Sequence, residues 1–274
     1  MFETLELSDP ALEFEGLRWV TLNSPSLGHR ADITLHVPPE VAGRSHVPLV
    51  ILLHGIYGSH WAWAMKGGAH RTAARLIREG AIPPMVLAMP SDGLWGEGSG
   101  YVPHVPAKGV TAAGGIPDFE RWIVEDVPAA VRQAVPAVSS ESPIFVAGLS
   151  MGGFGALRLA AKYPEWATAA SGHSSATRAQ QLEKFSSGPI SQYSPAAMDQ
   201  SVLDAMLANM SRLPPIRFDC GEDDFLVEHN RELHRTLEAL AIPHEYEEFP
   251  GAHTWPYWTE HLADSLRFFA RQLK

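Results

Sequence analysis

A chain of 274 residues with 31 acidic and 21 basic side chains has a formal net charge of −10, which argues against nucleic acid or an anionic membrane as its main partner. A hydrophobic share of 45% supports a substantial core, and a single cysteine, Cys220, excludes an intrachain disulfide. The acidic start Met-Phe-Glu-Thr-Leu-Glu lacks a basic-then-apolar leader pattern and no uncharged apolar run approaches a membrane span, so a cytoplasmic location is expected.

Residues 17–24 and 31–37 alternate apolar and polar around Pro25, Ser26 and Gly28, the pattern of an antiparallel pair at a sheet edge. Residues 48–53 form a continuous apolar run, hence a central strand, which ends in the glycine-containing loop His54-Gly-Ile-Tyr-Gly-Ser-His-Trp-Ala-Trp63. One helix is expected from there to about Glu79, with Ala69, Ala73, Leu76 and Ile77 on one face and Gly80 as its stop. A buried strand at 85–89 leads into a long loop reaching Gly115, whose aromatic and glycine content favours function over disorder.

Phe119, Trp122, Ile123, Val127 and Val131 keep helical spacing, with a kink expected at Pro128. Beyond residue 150, short strands are expected at 166–172, 216–220 and 246–249. The helix after the second carries Leu226, Leu233, Leu237 and Leu240 on one stripe, and a terminal helix turns Trp258, Leu262, Leu266 and Phe269 inward. The polar, weakly helical stretch at about 173–212 is read as a small cap insertion over a pocket. With no repeat and no linker, residues 1–274 read as one doubly wound α/β domain with an antiparallel N-terminal edge and helices on both faces of a mostly parallel sheet.

The stretch Ile144-Phe-Val-Ala-Gly-Leu-Ser150-Met-Gly-Gly-Phe-Gly155 reads as a buried strand, a one-residue corner and a helix. Gly148, Gly152 and Gly153 have no Cβ, as a sharp strand-to-helix turn requires, and the helix end behind Ser150 offers free N–H groups where an oxyanion would form. A serine hydroxyl is a poor nucleophile without a base, and on such a sheet the partners follow in the order serine, acid, histidine. His253, after the last strand, is placed to be the base. His229, His234 and His261 fall within helices, His54 shapes its own loop, and His173 is the weaker competitor. For the acid, Asp224 is preferred over Asp223, although capping of the next helix would account for either. The backbone N–H groups of Met151 and Ile56 are the expected oxyanion donors. Tyr57, Trp61, Trp95, Tyr101, His173 and Trp255 are expected to line the substrate pocket, with packing of loops onto the core as the alternative for the tryptophans. Thirteen histidines occur without a metal-ligand spacing, so neither metal nor cofactor is expected, and the expected partner is a small molecule.

Four segments together carry a resemblance: Leu53-His-Gly-Ile-Tyr-Gly-Ser59, Ala147-Gly-Leu-Ser-Met-Gly-Gly-Phe-Gly155, Cys220-Gly-Glu-Asp-Asp-Phe-Leu226 and Gly251-Ala-His-Thr-Trp-Pro-Tyr-Trp258. From about residue 17 to the C-terminus the chain resembles the putative-esterase family of the α/β-hydrolase superfamily, which includes S-formylglutathione hydrolases (esterase D) and tributyrin, feruloyl and acetyl-xylan esterases. The likeness places nucleophile, acid and base on Ser150, Asp224 and His253, and the oxyanion donors on Met151 and Ile56. It implies a serine carboxylesterase for short-chain acyl or carbohydrate and feruloyl esters, with an acyltransferase or an S-formylglutathione hydrolase-like thioesterase as alternatives. Gly96-Glu-Gly-Ser-Gly-Tyr101 is similar to a loop of the S-formylglutathione hydrolases, whereas the Asp-Phe-Leu and His-Thr-Trp-x-Tyr-Trp segments resemble the tributyrin and carbohydrate esterases.

Overall fold

The computed structural model describes residues 2–92, 98–103, 117–185, 194 and 196–273. Among the described residues nine strands form one sheet: β1 (Leu5–Leu7), β2 (Leu17–Ser24), β3 (His29–His36), β4 (Leu49–Leu53), β5 (Val86–Pro90), β6 (Ile144–Leu149), β7 (Ala169–His173), β8 (Ile216–Gly221) and β9 (Glu245–Phe249). Their order is β1-β2-β3-β5-β4-β6-β7-β8-β9. The first three pairings along this order, β1–β2, β2–β3 and β3–β5, are antiparallel, and every later one is parallel. This is the mostly parallel α/β sheet with an antiparallel N-terminal edge expected from the sequence.

The helices are α1 (Ala62–Met65), α2 (Ala69–Arg78), α3 (Phe119–Arg121), α4 (Val127–Ala134), α5 (Met151–Lys162), α6 (Ala197–Gln200), α7 (Val202–Ala208), α8 (Val227–Ala239) and α9 (Trp255–Arg271). Strand β4 shows why the central runs do not alternate. Leu49, Ile51 and Leu53 join the core under α4, α5 and α8, while Val50 and Leu52 join the opposite core under α2 and α9. Both faces are covered, so both parities are apolar. Strands β5 and β6 flank β4 on opposite sides. The connections therefore reverse direction at β4, and a crevice opens at the carboxyl ends of β4 and β6.

Several local expectations need correction. The single helix expected up to Glu79 is two, α1 and α2, separated at Lys66, Gly67 and Gly68, where Gly68 takes φ 58°. At Pro128 the departure begins earlier, as a π-helical turn over Trp122–Asp126 closed by the Val127 N–H donating to the Trp122 carbonyl. Leu240 lies past the end of α8 and is exposed, so the apolar stripe stops at Leu237. Strand β1 is an addition: three residues, largely exposed, held by their register with β2.

Candidate active site

Ser150 occupies the corner between β6 and α5 with φ 55° and ψ −116°, a conformation that L-residues seldom adopt. The surroundings impose it. The Ser150 N–H donates to the His173 carbonyl at 2.9 Å, and the Ser150 carbonyl already accepts the Phe154 N–H at 3.0 Å. A Cβ on Gly152 would lie 2.7 Å from the His54 carbonyl oxygen and collide with that of Leu53, and one on Gly148 would collide with the Gly152 backbone. Glycine at both positions lets α5 pack directly on β4 and β6.

His253 sits between β9 and α9. Its Nε2 is 3.0 Å from Ser150 Oγ, and its Nδ1–H donates to the Asp224 carboxylate, with Oδ2 at 2.8 Å and Oδ1 at 3.0 Å. A proton on Nδ1 leaves Nε2 as an acceptor for the serine hydroxyl. The Asp224 side chain is fully buried, while His253 is partly open to solvent. Two backbone bonds fix the loops that carry them: Asp223 N–H to the Gly251 carbonyl at 2.9 Å, and Glu222 N–H to the Phe249 carbonyl at 2.9 Å. Asp223 itself is exposed. Asp224 also accepts the Leu226 N–H at 2.8 Å, so the carboxylate that meets the imidazole also satisfies an amide at the start of α8.

Met151 opens α5, so its N–H has no intrahelical acceptor. The facing loop begins at His54, whose buried ring donates from Nδ1 to the Gly55 carbonyl at 2.7 Å and brings Nε2 to 3.5 Å from Asp92 Oδ1. Tyr101 Oη donates to the His54 carbonyl at 3.0 Å, and Asp92 accepts the Ser99 N–H at 2.8 Å. Ile56 lies in this braced loop, and Ile56, Ser150 and His253 all line an open cavity of about 600 Å³.

Of the expected pocket residues, Tyr57 and Trp255 line this cavity, and Tyr57 Oη donates to the Phe185 carbonyl at 2.8 Å. Trp61 lies outside the lining, in contact with Lys66. Trp95 falls outside the described residues. Two expectations are corrected. Tyr101 is fully buried and spends its hydroxyl on the His54 carbonyl, bracing the loop from behind. His173 is also fully buried: Nδ1 is 2.9 Å from Asp219 Oδ2 and Nε2 is 2.8 Å from Ser265 Oγ, so its ring faces the core. Burial alone would raise the Asp219 carboxyl, but His173 and Arg217 beside it dominate and hold it down at about 2. Burial, followed by the Asp224 and Asp219 charges, pushes the Cys220 thiol far up, so this cysteine is no competing nucleophile.

Lys66, Phe185 and Phe225 line the cavity without having been singled out in the sequence. Phe225 was findable, because it directly follows Asp224, whose carboxylate meets His253. Lys66 and Phe185 carry no local signal. Among the described residues no group of three or more His, Cys, Asp or Glu side chains is disposed to hold a metal, and no helix is long and apolar enough to cross a membrane.

A doubly covered, mostly parallel sheet with a serine elbow at its carboxyl edge is the architecture of the α/β-hydrolases. Residues 24–269 match the family described as "Putative esterase", and the chain belongs to that family; it is a serine carboxylesterase. An acetyl esterase of Caldicellulosiruptor saccharolyticus is 24% identical over 237 residues, covering 80% of this chain and 82% of that protein. Among solved structures, a ferulic acid esterase superposes with TM-score 0.75 at 22% identity, covering 98% of this chain and 100% of that one. An S-formylglutathione hydrolase from Agrobacterium tumefaciens gives TM-score 0.74 at 18% identity, covering 100% of this chain and 99% of that one.

Proposed function

We propose that the chain hydrolyses esters through a covalent acyl-enzyme, with Ser150 as nucleophile, His253 as general base and acid, and Asp224 as the group that fixes the imidazole tautomer. The observation that carries this reading is the continuous hydrogen-bonded chain from Ser150 Oγ through His253 to Asp224, opening on the 600 Å³ cavity. Ser150 Oγ adds to the ester carbonyl carbon while its proton passes to His253 Nε2. The tetrahedral oxyanion is held by the Met151 and Ile56 N–H groups. It collapses by expelling the alcohol, which takes the proton from His253, and leaves an acyl-serine. Water then repeats the sequence and releases the acid. Asp224 stays ionised and supports the imidazolium formed in each half-reaction.

The walls bear on the substrate. Phe225 lies 4.5 Å from the His253 ring, centroid to centroid, and Trp255 stands edge-on to Trp258 at 5.4 Å. Flat apolar walls beside the reacting carbon suit short acyl chains and aromatic acyl groups, the classes named in the acetyl and ferulic acid esterases it resembles. The segment at about 173–212 acts as a partial cap, since Phe185 from it lines the cavity and receives the Tyr57 hydroxyl bond.

Ser150→Ala tests the reading. With a panel of 4-nitrophenyl esters from acetyl to octanoyl, plus methyl ferulate and an acetylated sugar, turnover disappears while circular dichroism is unchanged. Retained turnover in that variant rules the assignment out. Product analysis with an added acceptor alcohol separates hydrolysis from acyl transfer.

A further inference from the structure

Three lysines fall among the described residues, and they are placed very differently. Lys162 is tied to Glu120 and Asp199. Lys66 and Lys184 meet no carboxylate among the described residues, and both stand against the aromatic walls of the cavity. The Lys66 ammonium lies 5.5 Å from the Trp61 ring centroid and 6.0 Å from that of Trp255. The Lys184 ammonium lies 4.4 Å from Phe225 and 4.7 Å from Phe185. Trp255, Phe225 and Phe185 line the cavity, as does Lys66.

Lys66 is placed by its surroundings. Its N–H donates to the Ala62 carbonyl at 2.9 Å, and the next residue, Gly67, packs so closely on Trp255 that a Cβ there would fall 2.9 Å from the ring. The chain's net charge of −10 repels anions overall, yet among the described residues no Asp or Glu lines the cavity. Both lysines are exposed, and each ammonium, held against an aromatic face, attracts an anion brought to the same wall with a strength that salt screens.

We propose that the ester cleaved at Ser150 carries a carboxylate on its acyl or alcohol part, received between Lys66 and Lys184. This rests on the esterase reading above and adds a charge requirement that the reading lacks. The reacting carbonyl sits at Ser150, the apolar body of the substrate lies along Trp255 and Phe225, and the charged end points to the two ammonium groups. Such an ester would gain mainly in binding, because the charge lies away from the carbon being attacked.

The test uses two matched pairs in which an amide replaces the carboxylate without changing shape. 4-Acetoxybenzoate against 4-acetoxybenzamide places the charge on the alcohol part, and monomethyl adipate against methyl adipamate places it on the acyl part. The quantity read is the ratio of kcat/KM for the anion to that for the amide. In at least one pair the ratio is about fivefold or more at low salt, carried by KM, and shrinks as sodium chloride screens the interaction. It falls toward one in the Lys66→Gln, Lys184→Gln double variant and inverts in Lys66→Glu. A ratio at or below one in both pairs while the amides are cleaved overturns the charge requirement and leaves the esterase reading standing. So does a ratio above one that the lysine substitutions do not move. If no member of either pair is cleaved by folded protein, both readings are overturned.

Discussion

Replacing Asp224 by Asn tests the relay more sharply than removing the serine, because the structure dictates how the amide must sit. Asp224 Oδ1 accepts the Leu226 N–H at 2.8 Å, and Oδ2 faces His253 Nδ1 at 2.8 Å. An asparagine keeps the Leu226 bond only by placing its oxygen at the Oδ1 position, which puts its NH₂ against Nδ1. The imidazole must then accept at Nδ1 and carry its proton on Nε2, the atom 3.0 Å from Ser150 Oγ. In that tautomer it donates to the serine instead of receiving its proton. The opposite rotamer would press NH₂ onto the Leu226 N–H in a site where the side chain has no access to water. The same substitution in Ser–His–Asp proteases lowers kcat by about 10⁴, equivalent to about 5 kcal/mol of transition-state stabilisation. The expected result with 4-nitrophenyl acetate is a kcat lowered by roughly 10³ to 10⁴ with KM little changed. Asp223→Asn, at an exposed neighbour, leaves kcat near wild type. An Asp224→Asn enzyme that kept more than a tenth of its kcat would refute the tautomer argument, and an equal loss in Asp223→Asn would move the acid to the other residue.

Ser150→Gly should abolish turnover yet raise Tm. Relief of the φ 55° strain returns about 1–3 kcal/mol against about 1 kcal/mol of added glycine entropy, a rise of a few degrees by calorimetry. Arg158→Met should destabilise by about 3–5 kcal/mol in urea unfolding, because fully buried Arg158 bonds Glu120 at 2.7 Å, Asp199 at 3.1 Å and the Tyr101 carbonyl at 2.5 Å. His36 sets an acid limit. Burial, aided by the His70 charge, lowers its pKa from 6.5 to about 4, so below 6.5 the unfolded chain binds the proton that the folded chain refuses. Its contribution is complete above pH 6.5 and is lost at up to about 1.4 kcal/mol per unit as pH falls toward 4. Denaturant midpoints against pH for wild type and His36→Gln check this, the variant having the shallower acid slope.

What could be read from the sequence depended on whether a residue's own neighbours in the chain carried the signal. The run at 144–149 is apolar at every position because β6 is covered on both faces, and Gly148 and Gly152 are required by contacts that any such elbow makes. His253 was legible for a related reason: only a residue just past the last strand can return to the serine. Tyr101 and His173 were misplaced because chain position gives the end of the sheet a residue occupies but not the direction of its side chain. Both lie at the correct end, and both turn into the protein. Strand β1 escaped notice because three residues, half-buried Leu5 and exposed Glu6 and Leu7, owe their conformation to β2 and not to a pattern of their own. Lys66 went unnoticed because the cavity wall it reaches is supplied by Trp255, 189 positions away, and not by its own neighbour Trp61.

The misplaced His173 shows what separates a reactive array from a structural one of the same composition. Ser265 Oγ, the His173 ring and the Asp219 carboxylate form a second serine–histidine–aspartate sequence, at 2.8 Å and 2.9 Å, with all three residues fully buried. Its serine also shares a hydrogen bond with Ser171 Oγ at 2.6 Å, and its aspartate is engaged by Arg217 and by the Tyr257 hydroxyl at 2.9 Å. The hydroxyl, the imidazole and the carboxylate are each held by buried partners, and burial leaves no room for a carbonyl carbon to approach. The array instead holds β7 against β8 and α9, and the His173 carbonyl then fixes the Ser150 N–H. Ser150 differs in having an open cavity on one side and a histidine that is partly exposed. On the proposed assignment, access, together with a hydroxyl left free to give up its proton, is what separates the Ser150 array from its buried counterpart.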